Sequence, residues 1–167
     1  MENNKKFILD VCCGGRMFWF NKNHPNTLYI DKRTRQKGHN KARPNHSIIP
    51  DIEMDFTKLK FKDNSFKLVV MDPPHLFGSE SGNMLQQYGW LEKDNWKEDI
   101  KKGFDESMRV LEPYGILIFK WNECSVKRKE ILKVLEIEPL FGHQIISKIP
   151  SHWFCFMKIP KYEVTNN

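Results

Sequence analysis

The sequence predicts an α/β fold: a single domain, residues 1–167, built on a doubly wound and mostly parallel sheet. Short apolar runs alternate with longer amphipathic stretches, which indicates strands connected by helices. The apolar runs are continuous rather than interrupted by polar residues, as in strands that a parallel sheet buries on both faces. With 167 residues and 40% hydrophobic side chains, the chain can form one ordinary domain with a core.

Seven apolar runs are the predicted strands. The two nearest the C-terminus are separated by only a short loop, so we expect them to pair antiparallel in an otherwise parallel, seven-stranded sheet whose last strand is antiparallel. The seven runs cover residues 7–9, 28–30, 48–49, 67–71, 116–119, 144–146 and 153–157.

Three helices are predicted between these strands. The clearest covers residues 96–111, because apolar side chains recur there at three- and four-residue spacing and Asp94 or Asn95 can cap the first turn. Ser125 can cap another helix, and residues 18–20 are expected to be core residues of the first helix. The segment of about 76–95 is too long for a simple connector, so it is either a lid over the substrate or a partly disordered loop.

The charge balance favours a polyanionic partner. Basic residues number 27 against 21 acidic ones, for a formal net charge of +6. Six of these cations lie in a basic loop of about residues 32–46, where Gly38 and Pro44 disfavour a continuous helix. Such a loop can hold nucleic-acid phosphates, although a solvated charged surface would have the same composition.

Several other classes of protein are disfavoured. No apolar stretch approaches the roughly 18 residues of a membrane span, so no membrane association is expected. The N-terminus lacks the long apolar segment of a secretory signal, which predicts a cytoplasmic protein. The four cysteines show no C-x-x-C spacing, so neither a disulfide framework nor a metal site is expected.

Acidic residues and glycines follow the carboxyl ends of the predicted strands. They are found in residues 10–15, at Asp31, at Asp55 and in residues 72–75. Open α/β sheets bind ligands beyond these strand ends. The glycine pair allows a ligand close to the backbone, and Asp31 could accept hydrogen bonds from two vicinal ribose hydroxyls. Each feature alone could instead be an ordinary turn or a polar strand end.

Together these motifs resemble class I S-adenosylmethionine-dependent methyltransferases, over most of the chain from about Phe7 to Lys158. Asp72-Pro73-Pro74-His75 is similar to the Asp-Pro-Pro-aromatic turn of enzymes that methylate planar amino groups, chiefly adenine N6. Cys12-Cys13-Gly14-Gly15 resembles their cofactor loop, although Cys12 and Arg16 replace two of its glycines and His75 replaces the usual aromatic residue. Small stand-alone enzymes of bacteria and their phages are the most similar, and a Rossmann-like fold is implied.

The resemblance implies a binding pose for S-adenosylmethionine. Asp10 would hold the methionine ammonium, the loop backbone would pass near the cofactor's centre, and Asp31 would take the ribose hydroxyls. Asp55 would accept the adenine amino group, while the Phe56 N–H donates to the ring. The implied cofactor-binding residues are Asp10, Cys12, Cys13, Gly14, Asp31, Lys32, Asp55 and Phe56.

The resemblance also implies the catalytic group: Asp72, Pro73, Pro74 and His75. The Asp72 carboxylate and the Pro73 carbonyl would accept the hydrogens of the target amine and stabilise the positive charge that develops on it. The prolines keep the turn rigid, and His75 could stack on the target ring or simply lie at the surface. Lys120 and His152 are weaker candidates for substrate contacts.

The predicted function is therefore methyl transfer to an exocyclic amino group, most plausibly adenine N6 of DNA or RNA. Two alternatives stay open: a protein lysine or glutamine N-methyltransferase, and a non-catalytic nucleic-acid-binding subunit that keeps the fold. A separate target-recognition domain does not fit in 167 residues. A second copy of the chain or a partner subunit could supply recognition.

Overall fold

A seven-stranded sheet forms the centre of the computed structural model, which describes residues 6–79, 82–145 and 147–160. Across the sheet the strands follow the order β3-β2-β1-β4-β5-β7-β6, and each neighbouring pair is parallel except the two that involve β7. This confirms the predicted fold class, including the antiparallel last strand. The strands are β1 (Ile8–Asp10), β2 (Thr27–Asp31), β3 (Ile52–Glu53), β4 (Phe66–Met71), β5 (Leu111–Asn122), β6 (Phe141–Ile145) and β7 (Ser151–Met157).

Two predicted strands lie elsewhere in the structure. The third strand is β3 and not residues 48–49: Ile48 forms an isolated antiparallel bridge with Arg35 instead. Pro50 cannot donate to a strand ladder, and pairing with β2 begins two residues after it. β6 begins at Phe141, three residues before the predicted strand, and Ile146 lies outside the described residues.

The helices are α1 (Asn83–Tyr88), α2 (Trp96–Val110) and α3 (Arg128–Leu135). The prediction for α2 is correct to within one residue, and α1 is a helix that the sequence did not predict within the segment 76–95. The prediction that Ser125 caps α3 is wrong, because α3 starts later and the Ser125 hydroxyl accepts the Phe77 N–H at 2.9 Å. Among the described residues, no helix is long and apolar enough to cross a membrane.

The hydrophobic core packs α2 against the middle of the sheet. Ile100 and Phe104 of α2 are completely buried, as the predicted apolar stripe requires. The Phe104 ring meets the edge of Phe156 at 5.0 Å between ring centroids, and Phe119 stacks parallel to Trp121. Phe119 of β5 also stacks on Phe154 of β7 at 6.2 Å, so the antiparallel strand is held by the same core as the parallel ones.

The predicted first helix does not form. Residues 11–26, which connect β1 to β2, contain turns but no helical segment. Phe20 is fully exposed rather than in the core, while Phe18 and Trp19 are half-buried. Arg16 has a φ of +54°, a left-handed conformation that interrupts a helix at the point where this one would begin.

The Arg16 guanidinium organises this connection in place of a helix. It donates hydrogen bonds to the Lys22 carbonyl at 2.7 Å, the Asn23 side chain at 3.1 Å and the Ile49 carbonyl at 2.9 Å. It also forms an ion pair with Asp51 at 3.0 Å. A planar guanidinium with five N–H donors can satisfy acceptors from separate segments at once.

We expect Arg16→Ala to destabilise the protein by about 2–3 kcal/mol, because several charge-assisted hydrogen bonds are lost together. Arg16→Lys should recover only part of this, since one ammonium cannot reach all of these acceptors. Urea unfolding followed by circular dichroism measures the change. Arg128→Ala, at an exposed position, is the control with an expected change below about 0.5 kcal/mol. Equal stability of Arg16→Ala and the control would contradict this role.

Candidate active site

The carboxyl ends of β1 and β4 border a cleft at the point where the winding of the sheet reverses. β1 pairs with β2 on one side and with β4 on the other. The strands after β1 therefore extend the sheet first to one side, up to β3, and then to the other side, from β4 onward. Open α/β sheets bind their ligands at this position. The cleft has a volume of about 640 Å³, and the predicted site residues that line it are Cys12, Cys13, Gly14, Asp31, Lys32, Phe56, Asp72 and Pro74.

Asp10 lies beneath the loop that follows β1 and does not line the cleft. Its side chain is buried, with one oxygen accepting the Cys12 N–H at 3.2 Å and the other the Trp19 indole N–H at 2.7 Å. Burial raises the pKa of Asp10 to about 7, against the lowering effect of these two hydrogen bonds. Both oxygens are thus used inside the protein, where they shape the loop.

Asp31 faces the cleft from the end of β2. One oxygen accepts the Gly14 N–H at 3.0 Å, and the other accepts the Arg33 backbone N–H at 3.0 Å and its side-chain Nε at 3.1 Å. The Arg33 Nη1 is buried and has no hydrogen-bond partner among the described residues. A side chain at Gly89 would meet this atom and the Pro74 ring, so Arg33 extends from Asp31 across to the Asp-Pro-Pro turn.

The cleft has a negative electrostatic character around Cys12. Burial raises the pKa of the Cys12 thiol well above its usual value, and the charges of Asp31, Asp10 and Asp72 raise it further. Burial, Asp10 and Asp31 also raise the pKa of Cys13. Both thiols are therefore neutral at ordinary pH, and the loop suits a positively charged ligand.

A second pocket of about 300 Å³ adjoins the cleft at Lys32, Phe56 and Pro74. Asp55 also lines it, although one Asp55 oxygen accepts both the Thr57 N–H and hydroxyl at 2.8 Å. Asp55 therefore shapes a turn and also faces this pocket. Trp90, which the sequence analysis did not single out, closes the opposite side of the pocket.

The Asp-Pro-Pro turn follows β4 and brings Asp72 to the cleft. Pro73 and Pro74 are buried, and both Asp72 oxygens contact the Lys120 ammonium, at 3.1 and 3.3 Å. Burial raises the pKa of Asp72 to about 6, although the charge and hydrogen bonding of Lys120 lower it. Lys120, predicted as a weak substrate contact, is thus the direct partner of the predicted catalytic carboxylate.

His75 lies behind the turn and does not line the cleft. Its ring is buried between Tyr88 and Trp121, with centroids 6.1 and 6.5 Å away. Burial lowers the pKa of His75 to about 4, and the Lys120 charge lowers it further, against a hydrogen bond with the Pro73 backbone. The imidazole is therefore neutral near pH 7, and the surface-histidine alternative does not describe it.

The segment 76–95 supplies one wall of the cleft. Gln87 and Tyr88, at the end of α1, line the cleft together with Phe18. The Gln87 amide nitrogen is buried and has no partner among the described residues, as for Arg33 Nη1. The sequence signal for these two residues was their place in the segment 76–95, which was predicted to be a lid or a loop. Glu80 and Ser81 of this segment lie outside the described residues.

His152 does not reach the cleft. It is buried on β7, where its Nε2 contacts the Glu123 carboxylate at 2.7 Å and its ring stacks on Phe154. Its Nε2 is therefore engaged within the protein rather than toward a ligand. The structure therefore places the two weak substrate candidates differently: Lys120 contacts Asp72, which lines the cleft, whereas His152 lies inside the sheet.

Solved structures share this architecture over nearly the whole chain. Geranyl diphosphate methyltransferase, solved with GPP and sinefungin, has a TM-score of 0.57 at 9% identity, covering 91% of this chain and 70% of that one. The N-methyltransferase NodS from Bradyrhizobium japonicum WM9 has a TM-score of 0.52 at 14% identity, and the match covers 92% of this chain and 85% of that one. The [4+2]-cyclase SpnF has a TM-score of 0.56 at 14% identity, and the match covers 91% of this chain and 74% of that one.

The chain has the Rossmann-like methyltransferase fold. No protein-family model matches the sequence, and no curated protein matches it significantly. The fold alone does not decide the reaction, since a protein described as a cyclase shares it. The chemistry has to be argued from the residues of the cleft.

We expect Gly103→Ala to damage the pocket that adjoins the cleft. A methyl group at Gly103 of α2 would lie 2.2 Å from the ring of Phe56, which lines both cavities. The ring would have to move, which lowers the free energy of unfolding by about 1–3 kcal/mol. The higher helix propensity of alanine offsets up to about 1 kcal/mol of this loss, so we expect a net destabilisation. Urea unfolding measures the difference. Lys102→Ala, at an exposed neighbouring position, is the control, and a Gly103→Ala protein as stable as the control would contradict the close packing.

Proposed function

We propose that this protein transfers a methyl group from S-adenosylmethionine to an exocyclic amino group, adenine N6 of DNA or RNA. One observation carries the proposal: the rigid Asp-Pro-Pro turn presents Asp72 in the same cleft as Asp31 and the Cys12–Gly14 loop. The methyltransferase fold supports a nucleoside cofactor at this edge of the sheet. The acidic turn supports an amine as the acceptor.

The cleft residues fit the cofactor's groups. Asp31 suits the ribose hydroxyls, which would share or replace its present contacts with Arg33. Two buried donors, Arg33 Nη1 and Gln87 Nε2, have no partner within the described part of the chain, and they suit carboxylate or hydroxyl oxygens of a polar ligand. The carboxylates around neutral Cys12 suit a cation. S-Adenosylmethionine supplies a methyl group on a positively charged sulfur, activated toward nucleophiles.

Asp72 and the Pro73 carbonyl would act on the acceptor amine. An aromatic amine is a weak nucleophile because its lone pair is delocalised, and acceptors on its hydrogens favour the pyramidal nitrogen and stabilise its developing charge. The nitrogen lone pair forms the new N–C bond as the S–C bond breaks and its electron pair returns to sulfur. The surplus proton leaves the methylated nitrogen through the Asp72 carboxylate. Alignment of the reactants contributes up to about 7–11 kcal/mol in ideal cases.

The walls of the cleft suit a planar acceptor. Phe18 and Tyr88 line it, whereas His75 lies behind the turn. We therefore assign base stacking to Tyr88 and Phe18 and a supporting role to His75. If the substrate is duplex DNA, the target base has to leave the helix to reach this cleft.

A basic groove beside the cleft supports a nucleic-acid partner. It has a volume of about 1390 Å³, shares Gly14, Gly15, Met17 and His46 with the cleft, and is lined by the exposed cations Lys22 and Arg43. Phosphates bound there would position a strand beside the cleft. Not every cation of the 32–46 loop is available, since the Arg33 guanidinium binds Asp31.

The first test is methylation of DNA, RNA and protein pools with labelled S-adenosylmethionine, followed by nucleoside mass spectrometry. N6-methyladenine should form. Asp72→Asn should lower the methylation rate at least a hundredfold, because one acceptor oxygen is replaced by a donor. Its affinity for S-adenosylhomocysteine should stay within about threefold of that of the wild type. Asp105→Asn, on the exposed side of α2, is the matched control and should keep full activity. Label only in protein, or undiminished activity of Asp72→Asn, would overturn the proposal.

The pH dependence of methylation should show an acid limb near pH 6. Burial raises the Asp72 pKa to about 6, and the protonated carboxyl is a poor acceptor for the amine hydrogen and cannot take up its proton, so the rate should fall about tenfold per pH unit below that value. Rates at saturating substrate between pH 5 and 8 measure this limb. A rate that stays constant down to pH 5 would contradict the need for an ionised Asp72.

A further inference from the structure

Lys120 is the most closely placed cation beside the proposed catalytic carboxylate among the described residues. Its ammonium lies 3.1 and 3.3 Å from the two oxygens of Asp72 and 4.8 Å from the centre of the Phe18 ring. Phe18 and Asp72 both line the cleft. About 20% of the Lys120 side chain and 16% of the Asp72 side chain are exposed, so the pair is largely desolvated, with Lys120 directly behind two residues of the cleft wall.

The register of two parallel strands positions this pair. Met71 of β4 pairs with Phe119 of β5, so the next residues lie side by side, with Asp72 just beyond the end of β4 and Lys120 still within β5. Lys120 is thus held by the central part of the sheet rather than by a mobile loop. An ammonium carries three hydrogens, so contacts with two carboxylate oxygens leave donor capacity for a third group.

We propose that Asp72 and Lys120 together recognise the amidine edge of the methyl acceptor. This inference rests on the proposed function and deepens it. Asp72 accepts a hydrogen of the exocyclic amine, and Lys120 donates to the adjacent ring nitrogen, which is N1 in adenine. An acceptor and a donor placed side by side complement a base edge that presents a donor and an acceptor side by side. Lys120 is then a specificity-determining residue.

The same pair disfavours a protein lysine as the acceptor. A lysine ammonium offers hydrogens but no acceptor, and its charge would be close to the Lys120 charge in a desolvated wall, where like charges repel strongly. Adenine is neutral and presents both groups. Cytosine and a glutamine carboxamide present a similar donor and acceptor, and they are outcomes of the test below.

The test compares three random-sequence single-stranded nucleic-acid pools, as RNA and as DNA, that contain adenine, 7-deazaadenine or 1-deazaadenine. The 7-deaza base keeps N1, whereas the 1-deaza base lacks it. With wild-type protein, kcat/KM for the 7-deaza pool should lie within about threefold of that for adenine. For the 1-deaza pool, kcat/KM should be at least about tenfold lower than for adenine, because a buried donor then lacks its acceptor.

The variant Lys120→Met separates recognition from other effects of the base analogues. In Lys120→Met, adenine and 1-deazaadenine should be methylated at rates within about threefold of each other, whereas Lys120→Arg should keep part of the discrimination. A merely structural role would lower all three rates equally and leave their ratio unchanged. Affinity for S-adenosylhomocysteine, expected within about threefold of wild type, confirms that the variants fold.

The outcomes separate this inference from the proposed function. If wild-type protein methylates adenine but treats 1-deazaadenine equally well, or if Lys120→Met keeps the discrimination, the role of Lys120 is wrong and the proposed function stands. If no pool yields N6-methyladenine, the proposed function fails and this inference fails with it. Methylation of cytosine or of protein glutamine in place of adenine overturns the adenine N6 target and, with it, the assignment of Lys120 to adenine N1.

Discussion

The candidate active site depends on three carboxylates that lie close together in a largely buried space at the carboxyl ends of the strands. Parallel pairing of β1 with both β2 and β4 brings Asp10, Asp31 and Asp72 to one place, and the charges of all three act on Cys12. Buried charges are costly unless they are partnered. Each carboxylate has a donor of its own: Trp19 donates to Asp10, Arg33 to Asp31 and Lys120 to Asp72.

These donors come from different parts of the chain, and they determine what each acid can do. The indole keeps Asp10 inside the protein, where it supports the loop. Arg33 covers Asp31, yet its buried Nη1 finds no partner in the segments that the structure describes, so the arrangement accommodates further acceptors. Lys120 holds Asp72 while leaving that carboxylate at the cleft. Three acids of the same type thus have three different environments at one sheet edge.

Much of the fold follows from local patterns in the sequence. Continuous apolar runs identified most of the strands, and the spacing of Ile100 and Phe104 identified α2, because burial against a sheet imposes these patterns directly. The Asp-Pro-Pro turn and Asp31 could also be found, since both follow a strand and strand ends meet at one edge. These features are encoded within a few neighbouring residues.

What the sequence did not reveal depends on contacts between distant segments. The partnership of Lys120 with Asp72 depends on the register of β4 and β5, and the replacement of the first helix depends on Arg16 reaching Ile49 and Asp51. Gln87 and Trp90 acquire their positions only when the segment after the turn folds over the cleft. Residue type and spacing carry little information on such pairings.

One amide group mechanically couples two regions that are far apart in the chain. The Asn40 side chain is buried within the 32–46 loop, holds that loop's own backbone at Ala42, and donates a 2.7 Å hydrogen bond to the carbonyl of Asn83, the first residue of α1. The last residue of α1, Tyr88, forms part of the cleft wall. A displacement of the loop, as when it is drawn toward a polyanion, would therefore pull on the helix that shapes the cleft.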